Sequence, residues 1–349
     1  MKTYNSMQRV LASLGHQEPD RVPFFLLATM HGAKELGLGI KEYFSRAEHV
    51  AAGQLRLREK YRHDCLSGFL FAPLEIEAWG GEVIYYEDGP PNSGQPPLGS
   101  PEEIRHLVPP RLEDATGLQR TLATLRLLKQ ESGDQVPILG VVISPFSLPV
   151  MQLGFATYLD LLGERPDLFR RLMTVNQEFC VQWANAQLDA GATAICYFDP
   201  VASPTILPRE LYETTGFQVA RETLARIKGP TATHLASGRC LGIMELLART
   251  GTAAVGISSH EDLAEVKSAA AGRLSIIGNL NGIEMRRWTP HETQAKVREA
   301  ISKGGEGGGF ILADNHGEIP WQVPDEVLMA ISDAVHTFGR YPLTPNSTP

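Results

Sequence analysis

Gly309-Phe310-Ile311-Leu312-Ala313-Asp314-Asn315-His316-Gly317 turns from an apolar run of strand length into a cluster of polar residues. The same turn recurs at Thr233-His234-Leu235-Ala236-Ser237-Gly238 and at Gly278-Asn279-Leu280-Asn281-Gly282. Further apolar stretches lie at 22–28, 136–143, 192–198 and 254–257, with segments of helical periodicity between several of them. Strand-length runs alternating with helical patterns imply a parallel sheet wrapped in helices. In a closed sheet of that kind the residues just past the strand carboxyl ends converge on one mouth, so His234, Asn279, Asn281, Asp314 and His316 are expected to face one another.

The helical segments support this frame. Residues 166–190 carry Leu168, Leu172, Val175, Phe179, Trp183 and Leu188 near helical spacing, as a helix covering the sheet would. Similar helices are expected at 47–61, 117–130, 216–228, 262–271, 290–302 and 324–338, and Thr289-Pro290 has the chemistry of a helix start. His291 and His336 fall inside these helices and read as solvated or packed side chains. The glycines of Gly304-Gly305-Glu306-Gly307-Gly308-Gly309 precede a strand, whereas a phosphate cradle follows one, so they read as a flexible approach to the last strand.

A chain of 349 residues with 43% hydrophobic composition can bury a large core, and with no long linker it is expected to form one domain over 1–349. A net charge of -8 argues against a nucleic-acid partner, which needs a concentrated basic surface. There is no apolar run of membrane-spanning length and no amino-terminal signal pattern, which points to the cytoplasm; a homodimer is compatible with this reading. Cys65, Cys180, Cys196 and Cys240 form no CxxC pair and are expected to be small packed side chains.

Asp262-Leu263-Ala264-Glu265-Val266-Lys267, Gly278-Asn279-Leu280-Asn281, Gly307-Gly308-Gly309-Phe310-Ile311-Leu312 and His316-Gly317-Glu318-Ile319-Pro320 resemble the uroporphyrinogen decarboxylase superfamily. The resemblance extends through most of the chain. It includes Glu75-Ile76-Glu77-Ala78-Trp79-Gly80-Gly81-Glu82-Val83 and Asp88-Gly89-Pro90-Pro91, which look like the methyltransferase branch. It implies a (β/α)8 TIM barrel with amino-terminal extension helices and a site at the strand carboxyl ends. The decarboxylases hold a polycarboxylate with an Arg-Gln-Ala-Gly-Arg segment after the first strand, but the matching stretch here is Ala28-Thr29-Met30-His31-Gly32. Their catalytic aspartate aligns near Phe71 and their tyrosine with Met151, neither of which can do the polar job. Porphyrinogen decarboxylation is therefore disfavoured, and Phe71, Met151, His31 and Asn279 are expected to line a site for an aromatic ring.

Coenzyme M methyltransferases of the superfamily bind zinc through a His-x-Cys pair and a further Cys, but Ala236 follows His234 in that spacing, and Asn315-His316 replaces the last Cys. Ether-cleaving methyltransferases, which pass a methyl group from a methoxylated aromatic to a corrinoid protein, use two acids and a histidine instead. Asp199, Glu213 and His234 resemble that zinc set, with Glu213 and His234 at the matching spacing and Asp199 one position nearer Glu213 than the pattern asks. The resemblance thus implies Zn2+ held by these three as a Lewis acid, His316 as proton donor and Asp199 and Glu75 as further catalytic acids. The methyl acceptor would be cobalamin carried by a separate corrinoid protein. The bland alternatives are that Asp199 caps a turn before Pro200, Glu213 is a solvated helix residue, His234 is hydrogen-bonded at the mouth and Glu75 belongs to a polar network.

Overall fold

The computed structural model describes residues 3–270, 272–315 and 317–343. Among them seven strands form one parallel sheet in chain order: β1 (Leu66–Ser67), β4 (Ile138–Ile143), β5 (Ala194–Phe198), β6 (Thr231–His234), β7 (Ala254–Gly256), β8 (Ser275–Leu280) and β9 (Phe310–Asp314). β2 (Val83–Ile84) and β3 (Asn92–Ser93) make a separate antiparallel pair. Helices occupy the crossovers, as parallel neighbours require.

The sheet curls until its edges are linked through the segment expected as the first strand. Phe24 bridges Leu312 of β9, and the Asp64 N–H, just before β1, donates to the Phe24 carbonyl at 2.8 Å. This segment is not a regular strand, for two local reasons: Pro23 has no N–H, and the Phe24 N–H donates to the Asp64 carboxylate at 3.0 Å. Asp64 is itself held between Arg9 and Arg21, each with a nitrogen 2.7 Å away. β1 is too short to show a sequence period, and it was not expected.

The helical expectations match closely: Ala47–Tyr61, Thr116–Ser132, Pro166–Asp189, Pro290–Gly304 and Asp325–Phe338 are all helices. Thr289 and Glu292 form a reciprocal cap at the start of Pro290–Gly304. The glycine run before β9 is a fitted contact rather than a loose approach: Gly308 has φ +68°, and a Cβ there would sit 2.4 Å from the Gln17 carbonyl oxygen. That contact seats the helix Ser6–Leu14 across the amino-terminal end of the barrel, where Val10 packs with Phe25, Cys65 and Ile311. Among the described residues no helix is long and apolar enough to cross a membrane.

Strand alternation sets what each residue can reach. Along β5, Ile195 and Tyr197 are fully buried against the helices, while Ala194, Cys196 and Phe198 face the lumen and are only half-buried. Ala232 and His234 of β6, and Leu139 and Val141 of β4, repeat this pattern.

Candidate active site

His234 ends β6 on the lumen side, in register with Phe198 on one neighbour and Gly256 on the other. Its ring stacks on Phe198, with centroids 5.4 Å apart and planes 17° from parallel. On the opposite side a Cβ on Gly256 would come within 2.4 Å of the imidazole, so only glycine leaves room for the ring. The Ala236 N–H donates to Nδ1 at 3.0 Å, an arrangement reached with Ala236 in the left-handed region at φ +52°. A β-carbon in that region costs on the order of 1 kcal/mol, so the turn spends backbone strain to orient this side chain. With Nδ1 accepting, the neutral ring carries its proton on Nε2 and is a donor there.

Two acids lie at and just after the end of β9. Asp314, buried at the end of β9, accepts from the Gly317 N–H at 3.3 Å. Glu318 turns its carboxyl onto the loop after the first strand segment, where the Thr29 hydroxyl donates to Oε1 and the Met30 N–H donates to the same oxygen at 3.2 Å. Withdrawal from water lifts the Glu318 carboxyl to about 8; the Met30 N–H opposes that rise and the nearby Asp314 charge adds to it. Glu318 is therefore a neutral acid at pH 7 and can donate a proton. Asn279 of β8 uses its amide to hold the loop after β7, donating to the Ser258 and Glu261 carbonyls at 3.0 and 3.2 Å.

The other expected site residues lie elsewhere. Asp199 follows the lumen-facing Phe198 and so points the opposite way, into the helix layer. There its Oδ1 accepts from the Ser144 and Ser147 hydroxyls, both at 2.6 Å. Burial lifts its pKa to about 6 against those two hydrogen bonds. Ser147 Oγ in turn accepts from the Val201 N–H at 3.1 Å, so Asp199 ties the loop after β4 to the loop after β5. Glu213 lies half-buried in the short helix Arg209–Thr214.

The three residues expected to hold zinc are thus not brought together. Among the described residues no group of three or more His, Cys, Asp or Glu could hold a metal ion. The hydrogen bond at His234 makes the same point chemically, since a ligating histidine donates from its second nitrogen, whereas here Nδ1 accepts. The donor set does not fit the ion.

Glu75 also belongs to the helix layer. β1 is so short that the upper part of β4 has no neighbour on that edge, and side chains complete it. Gln187 bonds both the N–H and the carbonyl of Val141, at 3.0 and 2.8 Å, and Glu75 Oε1 accepts from the Ile143 N–H at 2.8 Å. Burial lifts the Glu75 carboxyl to about 8, so this stand-in for a strand is neutral. Phe71 packs edge-on between Phe44 and Tyr85, with centroids 5.3 and 5.7 Å away, and is core. His31 is buried beside Trp321 at the start of a helix, its pKa driven down to about 3 by burial and by Lys34. Met151 is half-buried in the helix Pro149–Leu153. His316 lies outside the described residues.

Sequence reasoning passed over Glu318, Thr29 and Gly256. Glu318 was within reach, as an acid in the polar stretch after the last strand. Gly256 carried no signal, because its role exists only once β6 and β7 are in register.

The chain was compared with known proteins. The family model described as "Uroporphyrinogen decarboxylase (URO-D)" matches residues 5–338. A uroporphyrinogen decarboxylase of Idiomarina loihiensis is 24% identical over 95% of this chain and 96% of its own length. That of Ralstonia nicotianae is 27% identical over 83% of each. A methyltransferase from Methanosarcina mazei superposes with a TM-score of 0.82, at 21% identity, over 96% of this chain and 99% of its own. A B12-independent methionine synthase from Shewanella gives 0.58 at 14% identity, over 85% and 89%. The parallel sheet closing on a mouth of polar strand ends and the match over nearly the whole chain agree: this protein belongs to the uroporphyrinogen decarboxylase family.

Proposed function

We propose that this family member is a methyltransferase that takes a methyl group from a small methoxylated aromatic and passes it to the cob(I)alamin of a separate corrinoid protein. The observation that carries this reading is the barrel lumen itself, lined mostly by apolar side chains and reaching up to His234 and Asp314. A polycarboxylate placed there would meet the Asp314 charge. The loop that should neutralise it, Ala28-Thr29-Met30-His31-Gly32, has no arginine and is itself turned onto Glu318. A neutral ring has no such conflict. Counting the segment at 22–28 as an eighth stave gives the (β/α)8 barrel on which such a mouth is built.

The residues present would then act by proton chemistry. An aryl methyl ether resists attack because phenolate leaves poorly near neutral pH. The His234 Nε2–H donates a hydrogen bond to the ether oxygen, and Glu318, neutral at pH 7, delivers the proton that turns the departing phenolate into a phenol. The carbon–oxygen bond breaks as the partner's cobalt takes the methyl group, so aryl ether, reduced cobalt and one proton become phenol and methylated cobalt.

The curated relatives' names favour a second reading, decarboxylation of a smaller acid, in which the same neutral acid would protonate the carbanion. One experiment separates the two. Purified protein is incubated with a reduced corrinoid protein and a panel of methoxyarenes while cobalt absorbance is followed, and in parallel with aryl carboxylates while carbon dioxide is collected. Methylated cobalt supports methyl transfer. Carbon dioxide without it overturns the proposal in favour of the decarboxylase.

A further inference from the structure

TIM-barrel interiors are ordinarily packed with layers of branched side chains. Here one side of the lumen is built from Val141, Cys196, Ala232 and Ala254, which are in lateral register across β4 to β7, with Leu139, Ile277 and Ile311 also lining the cavity. The small side chains on these adjacent strands leave a cavity of about 210 Å³ running from Val10 and Leu14 of the amino-terminal helix up to His234 and Asp314. The burial pattern reports the same hollow independently. The lumen-facing Cys196 and Ala232 are half-buried, while their outward neighbours Ile195 and Thr233 are closed off. Beside the two large core clusters, a small one of Val10, Phe25, Cys65 and Ile311 packs around this cavity without filling it.

An apolar cavity of this size offers water few hydrogen-bond partners, and cavities of about 150 Å³ lined by aliphatic side chains stay dry and take up benzene or xenon. At the rim the lining changes to the Phe198–His234 stack and Asp314. A ligand fitting both parts has an uncharged ring or short hydrocarbon body of one-ring size and a single polar atom at one end. We infer that the lumen is a binding chamber for the apolar body of such a molecule, inserted ring first with its polar end left at His234. This deepens the proposed function and rests on it for the substrate's identity. It places the ring below the strand ends and the methoxyl at the mouth, where a docking partner reaches it.

The test uses 4-fluoroanisole, followed by fluorine NMR on the full chain without any corrinoid protein. Ala232→Leu and Ala254→Leu fill the lumen without touching the rim. The expected result is saturable binding to the wild-type protein, weakened at least tenfold in either variant, with thermal unfolding confirming that each is folded. Crystals of the unaltered protein under xenon pressure should show density between Ala232 and Ala254, a readout that survives if both variants misfold. No saturable binding, equal binding in a folded filled variant, or a xenon-free lumen overturns the chamber. If 4-fluoroanisole binds in the lumen but no methoxyarene methylates the corrinoid, the chamber stands and the methyltransferase reading fails. If demethylation proceeds unchanged in the filled variants, the function stands and the chamber fails.

Discussion

Two pairs of acids sit near the strand ends of this barrel, and they differ in what holds them. Asp199 and Glu75 point outward into the helix layer, where hydroxyls and a strand-edge N–H occupy them. Asp314 and Glu318 lie near each other at the end of β9 and on the loop after it, where Thr29 and Met30 hold the Glu318 carboxyl. Burial raises Asp199, Glu75 and Glu318 alike, so a shifted pKa does not tell a reactive acid from a structural one. Location does. An acid locked in the helix layer stabilises loops and edges, whereas an acid on the loop past the last strand can meet a substrate.

The largest effect expected of this contrast is on folding. Asp199→Ala strands the Ser144 and Ser147 hydroxyls in a buried site and leaves a small cavity, which should lower stability by about 2–4 kcal/mol in urea unfolding. Zinc affinity should not change. A variant as stable as wild type that has lost metal binding would move Asp199 to the functional class.

Past β9 the order reverses. Glu318→Gln should cost about 10²-fold in turnover, the usual weight of one proton donor, with unfolding shifted by less than about 1 kcal/mol. Because Glu318 works protonated, wild-type activity should be present below its raised pKa and fall as pH rises through about 8. That falling limb should vanish in the glutamine variant; a limb that persists unchanged would assign the proton to another group.

Gly256→Ala sharpens the comparison from the neighbouring strand. The added methyl would lie 2.4 Å from the His234 ring, which Phe198 blocks on its other face, so the ring must turn out of its place, and turnover should fall by about tenfold and stability by about 1–2 kcal/mol. Turnover equal to wild type would mean that the ring's position is not needed.

The smallest effect separates the two raised glutamates. Glu75 is held neutral when folded, at about 8 against an ordinary 4.5, so its contribution to stability is complete below pH 4.5 and is lost as pH rises toward and through 8. Glu75→Gln keeps an acceptor for the Ile143 N–H and removes the titration. Its unfolding midpoint should match wild type near pH 5 and exceed it at pH 9, with turnover nearly unchanged. A large loss of turnover with normal folding would bring Glu75 back into the chemistry.

How much of this was legible follows from what each feature depends on. Local and periodic features were: the helices at Ala47–Tyr61 and Asp325–Phe338, the cap at Thr289, and the placement of His234 and Asp314 at strand ends. The zinc set was read from spacing alone, and spacing does not say on which side of a strand a residue emerges. Phe71 and Met151 came from correspondence with a family motif, which carries no information on packing, and the structure puts Phe71 in the core.

By itself the sequence determined that strands and helices alternate, that polar residues crown the strands, and that no arginine clamp follows the first strand segment, because propensity, period and residue identity are properties of the chain alone. Only the tertiary structure decided that Asp199 faces away from His234, that Glu75 completes the edge left by a two-residue β1, that Gly256 makes room for an imidazole, and that the lumen is hollow. Each of these depends on register between strands far apart in the chain, where a shift of one residue exchanges the inner face of the barrel for the outer.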